Sequence, residues 1–131
     1  MSAPITKRPV VLVADDDPTM RLLVAETLEP DGIEVVEEPD GAAALTTLRE
    51  RTPDLVLLDV QMPVMGGLEA AAHIRALPDP ARAATPIVAV TANAMKGDRE
   101  VCIAAGMNGY LTKPINAAAL LEEVGRHTAA R

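Results

Sequence analysis

Three aspartates in a row, Asp15, Asp16 and Asp17, follow the first of five short apolar runs. Asp59 follows the third run, Thr91 the fourth and Lys113 the fifth. Carboxylates gathered from two such runs repel each other, and a cluster of this kind persists when a cation neutralises it. Oxygen ligands with some water suit Mg²⁺. A carboxylate beside a bound ion is also a place where a transferred phosphoryl group can be held, because the ion and a lysine ammonium offset the new charge. Lys113 and Thr91 have the right chemistry for that. Taken singly, each residue has a plainer use. Asp17 and Asp16 can cap a helix opening at Pro18, Thr91 can cap, Asp59 can start a turn and Lys113 can be a solvated loop lysine before Pro114. Their joint placement is what points to a site.

Such a gathering requires strands that all end at one rim. Apolar stretches at Val10 to Ala14, Ile33 to Val36, Asp54 to Leu58, Pro86 to Val90 and Asn108 to Leu111 read as strands, the Val-rich ones buried on both faces. Between them Met20, Leu23, Val24 and Leu28 recur at helical spacing, as do Leu120, Leu121 and Val124. Ala42 to Leu48 and Leu68 to Leu77 repeat it more loosely, and Met95 to Ala105 is the remaining helix. Asp17-Pro18 opens one helix, Asp31-Gly32 ends it, and Gly106 ends another. Pro78-Asp79-Pro80 reads as a rigid surface loop. The order is (βα)₅, an α/β doubly wound five-stranded parallel sheet with right-handed crossovers and ligands at the carboxyl ends of the strands.

Composition narrows the class. At 131 residues and 49% apolar content there is one core, built from aliphatic side chains because Phe and Trp are absent and Tyr110 is alone. A net charge of −7 disfavours nucleic acid and anionic membranes as partners. Lys7 and Arg8 are too small a cluster to act as a nucleic-acid arm. The single Cys102 cannot form an internal disulfide and reads as a small buried residue. With no long apolar window and no signal pattern, a cytoplasmic location is the expectation.

Together, Val11-Leu12-Val13-Ala14-Asp15-Asp16-Asp17-Pro18, Asp54 to Asp59 with Met62-Pro63 and Gly66-Gly67, Val90-Thr91-Ala92, and Tyr110-Leu111-Thr112-Lys113-Pro114 resemble the response-regulator receiver domains, which are CheY-like. The match is ordered, correctly spaced and covers the chain beyond a tail at 1–9, so that 10–129 would be the receiver. The resemblance implies a phosphorelay domain of a two-component system, not an enzyme beyond slow self-catalysed phosphorylation and dephosphorylation. It would take a phosphoryl group from a phosphohistidine onto Asp59. Mg²⁺ would be bound by Asp16, Asp59 and the backbone carbonyl of Gln61, with Asp15 acting through water. Thr91 and Lys113 would contact the phosphoryl oxygens, Thr91 and Tyr110 would form the switch, and Asp17 would remain a cap. Gln61 and Asn93 would line the path of the attacking water and tune dephosphorylation. Lys113-Pro114 would be cis. Gly66 and Gly67 would let the following loop turn tightly, while Met62 and Met65 would shape and pack it.

The stretch from Thr91 to Asp98, with Ala105-Gly106-Met107 and Tyr110 to Ile115, looks most like receivers of hybrid histidine kinases, implying a histidine kinase or histidine phosphotransfer domain as partner. His73 and His127 read as solvated helix residues, so the donor would come in trans. No output segment follows the last helix, which leaves a stand-alone regulator or a piece of a longer protein. A phosphohydrolase of the haloacid-dehalogenase type also uses a strand-end Asp with Mg²⁺, but needs a second Asp where Gln61 stands. A flavodoxin-like flavin binder would need aromatic rings and a hydroxyl-rich phosphate loop.

Overall fold

The computed structural model describes residues 8–62, 65–92 and 98–128. Five strands form one parallel sheet: β1 (Val10–Ala14), β2 (Glu34–Glu38), β3 (Leu55–Asp59), β4 (Ile87–Thr91) and β5 (Gly109–Thr112). Their spatial order is β2-β1-β3-β4-β5. Helices α1 (Pro18–Leu28), α2 (Gly41–Leu48), α3 (Gly67–Arg75), α4 (Pro80–Ala83), α5 (Asp98–Ala104) and α6 (Ala117–Thr128) connect and flank them. The part of the expected fifth helix at 95–97 lies outside the described residues.

Side chains alternate across the sheet with the period of two that a pleated strand imposes. Val11, Val13, Leu55, Leu57, Val88, Val90 and Leu111 pack against Met20, Val24 and Leu28 of α1 and Leu120 and Val124 of α6. Leu12, Ala14, Val56, Leu58, Ile87 and Ala89 face the other way, onto α2, α3 and Cys102 of α5. Every residue of β3 and β4 is buried, as strands covered on both faces require.

Strand boundaries move by about a residue from the sequence expectation, and the shifts have local causes. Asp54 precedes β3, where its carboxylate accepts from the Val10 N–H at 2.8 Å. Pro86 has no N–H to contribute, and Asn108 meets the start of β4 twice, its backbone N–H donating to the Ile87 carbonyl at 2.6 Å and its Oδ1 accepting from the Ile87 N–H at 2.9 Å. β2 starts after Ile33 and runs on through Glu37 and Glu38, which pair with Val13 and Ala14. As an edge strand it is only half-buried, so it accommodates charges and departs from the expected burial on both faces.

One loop is corrected, and the helix end expected at Asp31-Gly32 is found there. The Pro78-Asp79-Pro80 segment is not merely a loop, since the Asp79 carboxylate accepts from the Ala81 N–H at 2.9 Å and starts α4. After α1 ends at Leu28, a 3₁₀ turn spans Glu29–Asp31 before Gly32 stops it at φ 81. Asp40, which the sequence reading passed over, caps α2 through the Ala43 N–H at 2.8 Å. Asp17 caps α1 through the Thr19 N–H at 3.0 Å, as expected.

The rim at the amino ends of the strands is tied by Arg75, at the end of α3. Its guanidinium donates to the carbonyl oxygens of Gly106, Ala83 and Thr85 and to Asn108 Oδ1, all within 2.9 Å. One planar, rigid donor thus gathers α3, α4, β4 and the turn before β5. On α6, His127 corrects the expectation of a solvated histidine. Its ring is largely buried with Nε2 at 3.5 Å from Glu123 Oε1, whereas His73 is 52% exposed as expected.

Candidate functional site

A sheet in which the chain runs from β1 outward to β2 and then returns to β3 on the other side has its switch point between β1 and β3, and a crevice at their carboxyl ends. Asp15 follows β1 and Asp59 ends β3, so the two carboxylates face this crevice because the topology leaves them nowhere else to go. Both are nearly sealed, at 2% and 3% exposure. Asp16 is exposed beside them. Ligand oxygens of Asp15, Asp16 and Asp59 lie within 4.8 Å of one another, the arrangement a metal ion could share.

Lys113 enters from the loop after β5. Its Nζ stands 3.0 Å from Asp15 Oδ2 and 3.4 Å from Asp59 Oδ2. The backbone sets this up: the Lys113 N–H donates to the Thr91 carbonyl at 2.8 Å, and the Lys113-Pro114 bond is cis, as the resemblance implied. The Asp17 N–H donates to Asp15 Oδ1 at 2.9 Å and the Gln61 N–H to Asp59 Oδ1 at 3.1 Å. Each buried carboxylate therefore has one backbone donor and a share of one ammonium.

That share is insufficient. Burial first, and the charge of Asp15 second, push the Asp59 carboxyl from its ordinary 3.8 up to about 6 against the opposing pull of the Gln61 N–H and Lys113. Burial works against the Lys113 ammonium, but the hydrogen bond to Asp15 and the charges of both aspartates outweigh it and raise its pKa. Among the described residues three carboxylates face one ammonium, which leaves the crevice with excess negative charge, and carboxylate oxygens are the ligands that suit a hard divalent cation.

Thr91 ends β4, buried, with its backbone carbonyl on Lys113. Together with Val60, Gln61, Leu68, Val101, Cys102 and the half-buried Tyr110, it lines a cavity of about 120 Å³ that opens beside Asp59. Met62 and Met65 pack on the adjoining core, as expected of them. Asn93 lies outside the described residues. Gly67 is needed for a reason other than the flexible turn expected of it. A Cβ there would collide with the carbonyl oxygen of Asp59, so the chain after β3 passes too close for any side chain. Gly67→Ala should lower stability by about 2 kcal/mol, as overpacking against backbone does, and chemical denaturation of the two proteins checks it.

One residue near the crevice escaped the sequence reading. Arg21 of α1 reaches back with Nη1 at 2.6 Å from the carbonyl oxygen of Asp15. The available signal was a basic residue near the helix start, where the macrodipole favours the opposite charge.

Fold and crevice define a flavodoxin-like, doubly wound α/β protein with a cation-attracting cleft at its switch point. The family model for the response regulator receiver domain matches residues 11–125, and the chain belongs to that family. It is 42% identical over 127 residues to the sensor protein GacS of Pseudomonas syringae, covering 95% of this chain and 14% of that protein. It is 39% identical over 119 residues to hybrid signal transduction histidine kinase I of Dictyostelium discoideum, covering 87% of this chain and 7% of that one. The chain thus spans a small fraction of these relatives' length. Among solved structures it resembles the receiver domain of a Pseudomonas aeruginosa sensor histidine kinase, which has a magnesium ion coordinated in its active-site cleft. The TM-score there is 0.83 at 35% identity, over 92% of this chain and 98% of that one. The chain is therefore a receiver domain of two-component signalling. No helix among the described residues is long and apolar enough to cross a membrane.

Proposed function

We propose that this domain accepts a phosphoryl group on Asp59 from a phosphohistidine of a histidine kinase or histidine phosphotransfer domain, in the presence of Mg²⁺, and thereby switches a protein-interaction surface. The observation that carries the reading is the Asp59 carboxylate itself, a buried strand-end group sharing Lys113 with Asp15 and ionised above about pH 6. Asp16, Asp59 and the Gln61 carbonyl would hold the metal, with Asp15 acting through water. When bound, Mg²⁺ offsets the charge of the carboxylates and of the incoming phosphoryl oxygens.

The chain's own groups divide the remaining work. An Asp59 oxygen attacks phosphorus in line with the leaving imidazole, so that the O–P bond forms as the P–N bond breaks; the P–N electron pair stays on the ring, which leaves as neutral imidazole because its other nitrogen already carries a proton. Lys113 turns from Asp59 to the new phosphoryl oxygens, and the Thr91 hydroxyl donates to one of them. The resulting movement at Thr91 biases Tyr110 toward the adjoining cavity and alters the surface formed by α5, β5 and α6. Gln61 and Asn93 set how readily water reaches phosphorus. His73 and His127 sit in the last turns of α3 and α6, at the opposite end of these helices from the crevice rim, so the donor comes from another molecule or domain.

Acetyl phosphate with Mg²⁺ should raise the intact mass by one phosphoryl group, lost in Asp59→Ala. Millimolar Mg²⁺ should raise the unfolding midpoint of wild type but not of Asp16→Ala. An adduct that persists in Asp59→Ala with the same acid and base lability would sink the assignment.

A further inference from the structure

Arg21 stands at the start of α1, next to the acidic cluster, where its guanidinium is ion-paired with Glu37 and its side chain is only 18% exposed. Its contacts explain the position. Nη1 donates to the Asp15 carbonyl at 2.6 Å and Nε to Glu37 Oε1 at 3.3 Å. Glu37 belongs to β2, and the next residue of that strand, Glu38, accepts the Asp15 N–H at 3.1 Å. Both peptide groups of Asp15 are thus referred to the same edge strand, one directly and one through Arg21. The carbonyl that Arg21 holds lies in the plane of the peptide joining Asp15 to Asp16. Fixing it fixes the direction in which the chain leaves β1 and carries Asp16 to the crevice.

We infer that Arg21 is a positioning residue for the acidic pair, tying the Asp15–Asp16 peptide to β2 so that both carboxylates are held in register for a divalent cation. The inference rests on the functional reading above and deepens it. Orientation and charge make opposite demands here. A cation near an acidic cluster weakens metal binding by repulsion, so an Arg21 that acted by charge alone would, on removal, leave a tighter Mg²⁺ site. An Arg21 that acts by holding the peptide leaves a weaker one, since groups that orient metal ligands typically account for 10–100-fold in affinity.

The test compares wild type, Arg21→Met and Arg21→Lys by calorimetric Mg²⁺ titration, and by the rate of phosphorylation from acetyl phosphate at saturating Mg²⁺. Arg21→Met should bind Mg²⁺ about tenfold more weakly, yet approach the wild-type rate once the metal is saturating, because no group that touches phosphorus has changed. Arg21→Lys, which keeps a donor, should recover most of the affinity. Equal or tighter Mg²⁺ binding by a folded Arg21→Met overturns the inference. If that variant does not fold, Arg21→Gln, a shorter and neutral donor, is read by the same criterion. A wild type without Mg²⁺ binding defeats the functional reading itself, whereas a wild type that binds beside an unaltered variant defeats only the role of Arg21.

Discussion

In magnesium-free buffer at pH 7.5, Asp59→Asn should unfold well above wild type, although it removes the group on which the proposed function depends. The physical reason is the charge crowding at the switch point. A carboxyl whose folded pKa lies above its ordinary value binds its proton more tightly in the native state, so stability is lost as pH rises from 3.8 through about 6. The full loss is on the order of 3 kcal/mol above pH 6. Asparagine keeps the shape and a polar group while deleting the charge, and should recover much of that loss. For a chain of this length the gain corresponds to a midpoint up to about 10 °C higher. The gain should shrink as pH falls below 6, where wild-type Asp59 is already neutral, and Mg²⁺ should narrow it from the other side by stabilising wild type alone. Thermal unfolding of both proteins in chelator between pH 5 and 8 decides the matter, and a variant no more stable than wild type at pH 7.5 would show that the crowding is relieved elsewhere.

The converse substitution, Lys113→Met, should be costly. It leaves Asp15 and Asp59 buried side by side with the ammonium that contacts both removed. Stripping one partner from a buried ion pair costs about 3–5 kcal/mol. Lys113 is 22% exposed and Asp59 can take up a proton, so a loss of about 2–3 kcal/mol is expected in metal-free buffer. Because the raised pKa of Lys113 confers stability below its ordinary 10.5 that is lost only as pH climbs higher, the whole contribution is present at neutral pH. At pH 5 the loss should be smaller, since Asp59 is then protonated in both proteins. A double-mutant cycle with Asp59→Asn gives the sharpest reading. If the two residues interact as their 3.4 Å separation indicates, Lys113→Met should cost less in the Asp59→Asn background; strict additivity would mean that Lys113 serves Asp15 alone.

How much of this was legible in the sequence depends on the distance over which each feature is determined. The alternation of strands and helices is carried by local periodicity, and the strand-end residues Asp15, Asp59, Thr91 and Lys113 could be grouped because a parallel sheet delivers all such ends to one rim. The cap at Asp17 is a local device and was read correctly. The exposure of β2 was not legible, because a strand's place at the edge follows from sheet order rather than from its own Val-rich pattern. The short α4 hid behind two prolines that read equally well as loop. The contacts of Arg75 and Arg21 depend on approaches between separate segments of the chain, and an isolated arginine carries no mark of what it will meet. Gly67 was flagged for the wrong property, since its neighbourhood and not its own backbone angles excludes a side chain.

The aliphatic core has an optical consequence. With Trp and Phe absent and one tyrosine in 131 residues, the near-ultraviolet absorption and emission of the folded domain come almost wholly from the phenol of Tyr110. That phenol lines the cavity shared with Gln61 and Thr91. Intrinsic fluorescence, normally a blurred average over several chromophores, becomes here a single-site probe at the edge of the acidic crevice. Events there can be followed in real time in the unlabelled, unmodified chain, against an essentially dark background from the rest of the fold.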